Sequence, residues 1–193
     1  MLTPLARDLR RGPNLLTLSR IVLIFVSAAF YRFDQPVISL VLGVTAGLTD
    51  TLDGWLARRT GQVSRIGEIL DQFSDVVMES LILFLAVTAN KGYDPLLLIA
   101  YLFREFWILS IRRFTAEHQV NISSNFLGKL KSNFIGYGSI AAFILIADLW
   151  PEATPYLYIV SMVGYIGGLM LGYISAFDYT RQFVRAYNEV CAR

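Results

Sequence analysis

Long apolar runs recur six times along the chain, near residues 15–33, 36–58, 66–90, 94–113, 130–149 and 155–180. Each is close to the roughly 20 residues that carry a helix across a bilayer. The pattern predicts an all-α integral membrane protein with six transmembrane helices. Residues 2–12 differ: they are short and carry Arg7, Arg10 and Arg11. They read as a short amphipathic helix lying on the membrane surface. A cleaved signal peptide is the competing reading; Arg20, inside the first apolar run, weighs against it.

Basic residues orient the spans. Thirteen of them (Arg7, Arg10, Arg11, Arg58, Arg59, Arg65, Arg112, Arg113, Lys129, Lys131, Arg181, Arg185 and Arg193) fall on one side of this topology, and only Arg32 and Lys91 on the other. Both termini are therefore expected in the cytoplasm. Connections are short, the longest on that side being 114–127, and neither repeats nor a soluble domain interrupt the pattern. One membrane domain over 1–193 is expected.

Composition agrees. Only 17% of residues are charged and 55% are hydrophobic, against about 25% charged in soluble domains. A net charge of +2 does not argue for nucleic acid. Cys191 is the single cysteine and His118 the single histidine, so an intrachain disulfide is excluded, and zinc sites or histidine-dependent triads lack material.

Against this background four aspartates stand out. Asp50 and Asp53 are three apart on the second span, and Asp71 and Asp75 four apart on the third. Both spacings put a pair on one helical face. Asp53 lies five residues before Arg58 and Asp71 six after Arg65, so the pairs share a depth just beneath the cytoplasmic surface. Each ionised carboxylate in a membrane helix costs about 2.5–3.5 kcal/mol on insertion scales, and mutual repulsion adds to that. Protonation would relieve part of it. Divalent metal would relieve it fully, and oxygen-only ligands suit Mg²⁺ or Mn²⁺. Two such ions would form a template for phosphate or pyrophosphate. The plainer reading is of helix-end carboxylates facing water or arginines, but it does not explain four at one depth. Gly54, Ala57 and Gly67 are interleaved with them, where small residues permit close approach of a ligand or of a neighbouring helix.

The stretch from Asp50 to Asp75 reads D-x2-D-G-x2-A-R-x8-G-x3-D-x3-D. It resembles the signature of the CDP-alcohol phosphotransferase family at all eight positions: Asp50, Asp53, Gly54, Ala57, Arg58, Gly67, Asp71 and Asp75. The six-span layout extends the resemblance over essentially the whole chain. It implies transfer of a substituted phosphate from a CDP-linked donor to an alcohol, with release of CMP. It also implies that Asp50, Asp53 and Asp71 bind the metals with Asp75 completing the cluster. Asp75 would be the general base, and Gly54, Ala57, Arg58 and Gly67 would border the CDP moiety together with Asp50 and Asp53. A homodimer is common in that family.

A second group of residues addresses the acceptor. Asn14, Thr17 and Arg20 lie at the cytoplasmic end of span one; Arg104 and Arg112, eight apart, share a face of span four; Lys129 and Lys131 open span five. Arg104 is deep for an interfacial arginine and needs a partner. Its neighbour Glu105 points about 100° away on a helix, so a phosphate held by Arg20, Arg104, Arg112, Lys129 and Lys131 is expected; ordinary interfacial positive charge is the plainer reading of Arg113 and Lys131. These segments resemble the phosphatidylglycerophosphate synthase branch, which implies CDP-diacylglycerol as donor and glycerol 3-phosphate as acceptor. That branch usually carries Pro after the third aspartate and Ala-Asp-Lys around the fourth. Here the residues are Asp71-Gln72-Phe73-Ser74-Asp75-Val76, which leaves another polyol phosphate, including inositol phosphate, open. Glu68 and Glu79 read as solvated or salt-bridged residues flanking the cluster, and Tyr156, Tyr158, Tyr165 and Tyr173 as interfacial belts and packing. From a different class, a cation transporter would also use buried aspartates, but its polar residues should run the full depth of the membrane instead of gathering at one side.

Overall fold

The structure is a computed structural model that describes residues 8–61, 64–118 and 126–191. It is all-helical. Six long helices follow in order: α1 (Gly12–Arg32), α2 (Pro36–Thr60), α3 (Arg65–Thr88), α4 (Pro95–Glu117), α5 (Phe126–Ala147) and α6 (Thr154–Cys191), with one 3-10 turn at Pro151–Ala153 before α6. Most of the expected surface helix over 2–12, and residues 119–125 of the expected cytoplasmic loop, lie outside the described residues.

Local chemistry explains where the helices begin and end. Pro13, Pro36 and Pro95 stand in the first turns of α1, α2 and α4, where a missing N–H costs nothing. Asp94 caps α4 by accepting from the Leu96 N–H at 2.8 Å. Gly61 ends α2 in the left-handed region at φ 65°, the usual device for breaking a helix cleanly. Asp34, Asn90 and Asp148 take similar positive φ after α1, α3 and α5.

Four segments among the described residues are long and apolar enough to cross a membrane unaided: Gly12–Arg32, Pro36–Thr60, Leu127–Ala147 and Pro151–Arg185. α3 and α4 have the length but carry too many ionisable groups, Arg65, Glu68, Asp71, Asp75 and Glu79 on one and Arg104, Glu105, Arg112, Arg113 and Glu117 on the other. Among the charges that lower their hydropathy are Asp71, Asp75, Arg104 and Arg112, singled out above as candidate chemistry. Glu79 is buried rather than solvated.

The chain divides into two compact units. One runs up to Leu85 and takes in Ile146–Leu149; the other holds Ala86–Leu145 and the chain from Trp150 on. In the first, α1 and α2 are antiparallel. Gly12 faces Leu56, Thr17 meets Asp53, and Ser27 donates to the Ser39 carbonyl at 2.8 Å. α3 runs parallel to α1, with Gly67 beside Asn14 and Asp75 beside Arg20. In the second unit α5 and α6 are antiparallel and nearly touch at Gly138 and Gly164, where a Cβ on Gly164 would fall 2.5 Å from the Gly138 Cα. Tyr93 donates to Ser161 at 2.5 Å, and the Ser139 and Tyr165 hydroxyls meet at 2.9 Å. Polar side chains in a membrane interior find partners in this way. Tyr158 and Tyr173 donate to the carbonyls of Gly92 and Ala100. α6 is longer than its apolar pattern suggested. Its 38 residues span about 57 Å at 1.5 Å per residue, against a hydrocarbon core of about 30 Å, so its last turns extend past that core.

Candidate active site: four aspartates around one arginine

Asp50 and Asp53 come from α2, Asp71 and Asp75 from α3, and the spacings of three and four bring each pair to one helical face. The four carboxylates meet at the guanidinium of Arg20, which α1 delivers from the third side. Arg20 Nη1 reaches Asp50 Oδ1 at 2.5 Å and Asp75 Oδ1 at 3.1 Å. Its Nη2 reaches Asp71 Oδ1 at 3.3 Å and pairs with Asp53 Oδ2. Thr17, one turn before Arg20, donates its hydroxyl to the same Asp53 oxygen at 2.8 Å.

Exposure grades the cluster. The side chains of Arg20 and Asp53 are 0% and 6% exposed, whereas those of Asp50, Asp71 and Asp75 are 44%, 51% and 53% exposed. The arginine and one aspartate form the floor, and the other three carboxylates are about half exposed above it. Asp50, Asp53 and Asp71 each offer an oxygen within 4.8 Å of the others. Asp75 contributes none to that set and joins it through Arg20.

The donor set fits a hard divalent cation. It is oxygen-only, it is compact, and four carboxylates against one guanidinium leave three negative charges uncompensated at a place where each is costly. Asp50, Asp53 and Asp71 are the residues that would hold the metal.

A cleft of about 240 Å³ adjoins the cluster, lined by Pro13, Asn14, Thr17, Asp53, Gly54, Ala57, Arg58, Ser64, Gly67, Glu68 and Asp71. It therefore contains Gly54, Ala57, Arg58 and Gly67 of the signature. The two glycines act differently. A Cβ on Gly67 would lie 2.6 Å from Asn14 Oδ1 and 3.2 Å from Ser64 Oγ, so that glycine lets α1 approach the first turn of α3. Ser64 caps that turn by accepting from the Gly67 N–H at 3.0 Å, and its hydroxyl also receives the Asn14 amide at 3.3 Å. A Cβ on Gly54 would meet only the tip of Arg58, 3.5 Å away. No packing requires that glycine; the space above it belongs to the cleft.

The sequence reading did not assign Asn14, Thr17 or Ser64 to this cleft. The spacing of Asn14, Thr17 and Arg20 at i, i+3 and i+6 was the available signal, since it puts all three on one stripe.

The structure divides the expected phosphate-binding set. Arg20 serves the aspartates. Arg104 and Lys131 converge on a single atom, Glu105 Oε1, at 2.7 and 2.6 Å, and Arg104 Nε also donates to the Gly172 carbonyl at 3.3 Å. The expectation that Glu105 points away from Arg104 is thus corrected. Adjacent Cα–Cβ bonds do diverge, but both side chains are long enough to fold back together, and burial favours the pairing. Arg104 and Glu105 are buried; with Lys131 they form a group of net charge +1. Arg112 is exposed and stacks its guanidinium over the Tyr179 ring at 5.9 Å, and Lys129 is exposed.

Comparison with known proteins identifies relatives of this chain. The family model described as CDP-alcohol phosphatidyltransferase matches residues 11–171. Proteins named CDP-diacylglycerol–glycerol-3-phosphate 3-phosphatidyltransferase are similar over much of their length. One from Treponema pallidum is 27% identical over 184 residues, 91% of this chain and 83% of that protein. One from Aquifex aeolicus is 29% identical over 170 residues, 87% and 93% respectively. One from Yersinia pestis is 36% identical over 126 residues, 62% and 69%. With the family model matched over most of its length, and the four signature aspartates meeting at Arg20 beside a cleft lined by the other four signature residues, this membrane protein belongs to the CDP-alcohol phosphatidyltransferase family.

Proposed function

We propose that the protein transfers a phosphatidyl group from CDP-diacylglycerol to glycerol 3-phosphate, giving phosphatidylglycerophosphate and CMP. The observation that carries this reading is the convergence of four aspartates, from two helices, beside a cleft lined by the remaining signature residues. The names of the similar proteins support the donor and the acceptor. On this reading both compact units serve one catalytic domain.

A divalent cation, Mg²⁺ or Mn²⁺ and as a pair, supplies charge neutralisation on the pyrophosphate and on departing CMP. Asp50, Asp53 and Asp71 would hold it. Gly54 and Ala57 leave room for the CDP moiety, Arg58 at the cleft wall offers charge-assisted hydrogen bonds to its phosphates, and Gly67 keeps α1 and α3 close enough to shape the floor. Asp75 is half exposed beside the cluster and takes the proton from the acceptor hydroxyl. The hydroxyl oxygen then bonds to the phosphatidyl phosphorus as the bond from that phosphorus to the CMP oxygen breaks.

The buried group of Arg104, Glu105 and Lys131 supports a phosphorylated acceptor. It brings two basic side chains, Arg104 and Lys131, to one place within the helices, and charge-assisted hydrogen bonds from such groups suit a phosphate. Arg112 and Lys129 complete the acceptor set on this reading. The active site and both termini face the cytoplasm of a bacterial-type membrane, the donor arrives from the surrounding membrane lipid, nucleic acid has no part, and the working form is a homodimer.

The test is an acceptor screen with purified protein and labelled CDP-diacylglycerol. Glycerol 3-phosphate should be incorporated and CMP released; EDTA should abolish both, and Mg²⁺ or Mn²⁺ should restore them. Incorporation of inositol phosphate but not glycerol 3-phosphate would replace the acceptor, and ion flux without CMP release would point to a transporter.

A further inference from the structure

Arg20 is the feature the catalytic scheme leaves least explained. Its side chain is 0% exposed, and every carboxylate of the cluster is paired to one of its two terminal nitrogens. Its Nε is buried without a hydrogen-bond partner. The side chain is therefore placed for what its tip does, and a neutral residue there would leave four carboxylates facing one another. The oxygens it holds include Asp50 Oδ1, Asp53 Oδ2 and Asp71 Oδ1, and those three residues are the ones whose oxygens gather closely enough for a metal. A guanidinium and a divalent cation compete for those three carboxylates, because their charges repel.

We propose that Arg20 is the resident counter-cation of the cluster. It keeps α1, α2 and α3 assembled without divalent metal, is displaced by the metal, and only then offers its donors to a phosphate. The proposal rests on the metal-and-phosphate reading of this site. It has a consequence opposite to that of an ordinary supporting residue: removing Arg20 strengthens metal binding, because the metal no longer competes with a tethered cation. Each 1.4 kcal/mol of removed competition is tenfold in affinity, and charge-assisted hydrogen bonds are among the stronger ones, so a gain of about tenfold to a hundredfold is expected.

The experiment titrates Mn²⁺ into full-length wild type, Arg20→Gln and Arg20→Lys without substrate, following free Mn²⁺ by electron paramagnetic resonance. Arg20→Gln should bind Mn²⁺ about tenfold to a hundredfold more tightly than wild type, with Arg20→Lys between them. In EDTA the Tm of Arg20→Gln should fall, and Mn²⁺ should restore it. If Arg20→Gln does not fold in EDTA, the wild type carries the test. The ¹⁵N-arginine Nε–H signal that Arg20→Lys lacks should move when Mg²⁺ binds, and inorganic phosphate should move it further only with Mg²⁺ present. Equal or weaker Mn²⁺ binding by Arg20→Gln, a signal unmoved by bound Mg²⁺, or a phosphate response without Mg²⁺ would overturn the proposal while leaving the catalytic reading intact. Failure of wild type to bind Mn²⁺ at all would reject the metal reading, and the proposal with it.

Discussion

Gly54 and Gly67 belong to the same signature, and replacing each by alanine separates binding from folding. At Gly54 an added Cβ meets nothing nearer than an Arg58 Nη1 at 3.5 Å, an ordinary contact with the movable end of a long side chain. Glycine inside a helix is about 1 kcal/mol less favourable than alanine. Gly54→Ala should therefore stabilise α2, raising Tm by about 2–4 °C for a chain of this size. The same methyl enters the cleft beside Asp53 and Arg58. If donor phosphates approach the backbone there, overfilling costs about 1–3 kcal/mol, or roughly a tenfold to hundredfold loss in kcat/KM for CDP-diacylglycerol. At Gly67 the Cβ would collide with Asn14 Oδ1 at 2.6 Å, so Gly67→Ala should lower Tm as well as activity. The measurements are thermal unfolding in detergent and initial rates of CMP release over a range of donor concentrations. A more stable Gly54→Ala enzyme with unchanged kcat/KM would refute the assignment of that space to the donor.

Asp75→Asn should cut kcat by about 10²- to 10⁴-fold, the usual contribution of a general base, with Mn²⁺ still bound; a nearly wild-type kcat would remove Asp75 from that role. Glu105→Gln should lower Tm, because Arg104 and Lys131 then lose the one carboxylate they share and an uncompensated buried charge costs about 3–5 kcal/mol; unaltered unfolding would mean the group is not buried as described. Lys131→Met should raise KM for glycerol 3-phosphate and leave KM for CDP-diacylglycerol unchanged, and equal effects on both would argue against an acceptor role. Gly164→Ala should destabilise the second unit, since its Cβ would press to 2.5 Å on the Gly138 Cα; a retained Tm would show that α5 and α6 can separate there without cost.

Much of this protein is legible from residue order alone. Six helices follow from apolar run length, and their ends from Pro, Gly and Asx residues whose backbone preferences are local. The carboxylate cluster follows from aspartates at intervals of three and four, since helical periodicity makes such intervals into faces; the reaction class comes from the resemblance of the eight-residue signature to a family. Long-range partners are not legible in that way, because periodicity says which way a side chain leaves its helix and not what meets it. Arg20 looked like a ligand for the acceptor until α1 was seen to place it among carboxylates 30 to 55 residues away in the chain. Arg104 and Glu105 looked divergent until their side-chain length and burial brought them together. Gly54 and Gly67 look alike in sequence, and only the packing of α1 against α3 tells open space from close contact. Local stereochemistry dictated the elements and half of the site; how the helices pack decided which charges neutralise one another.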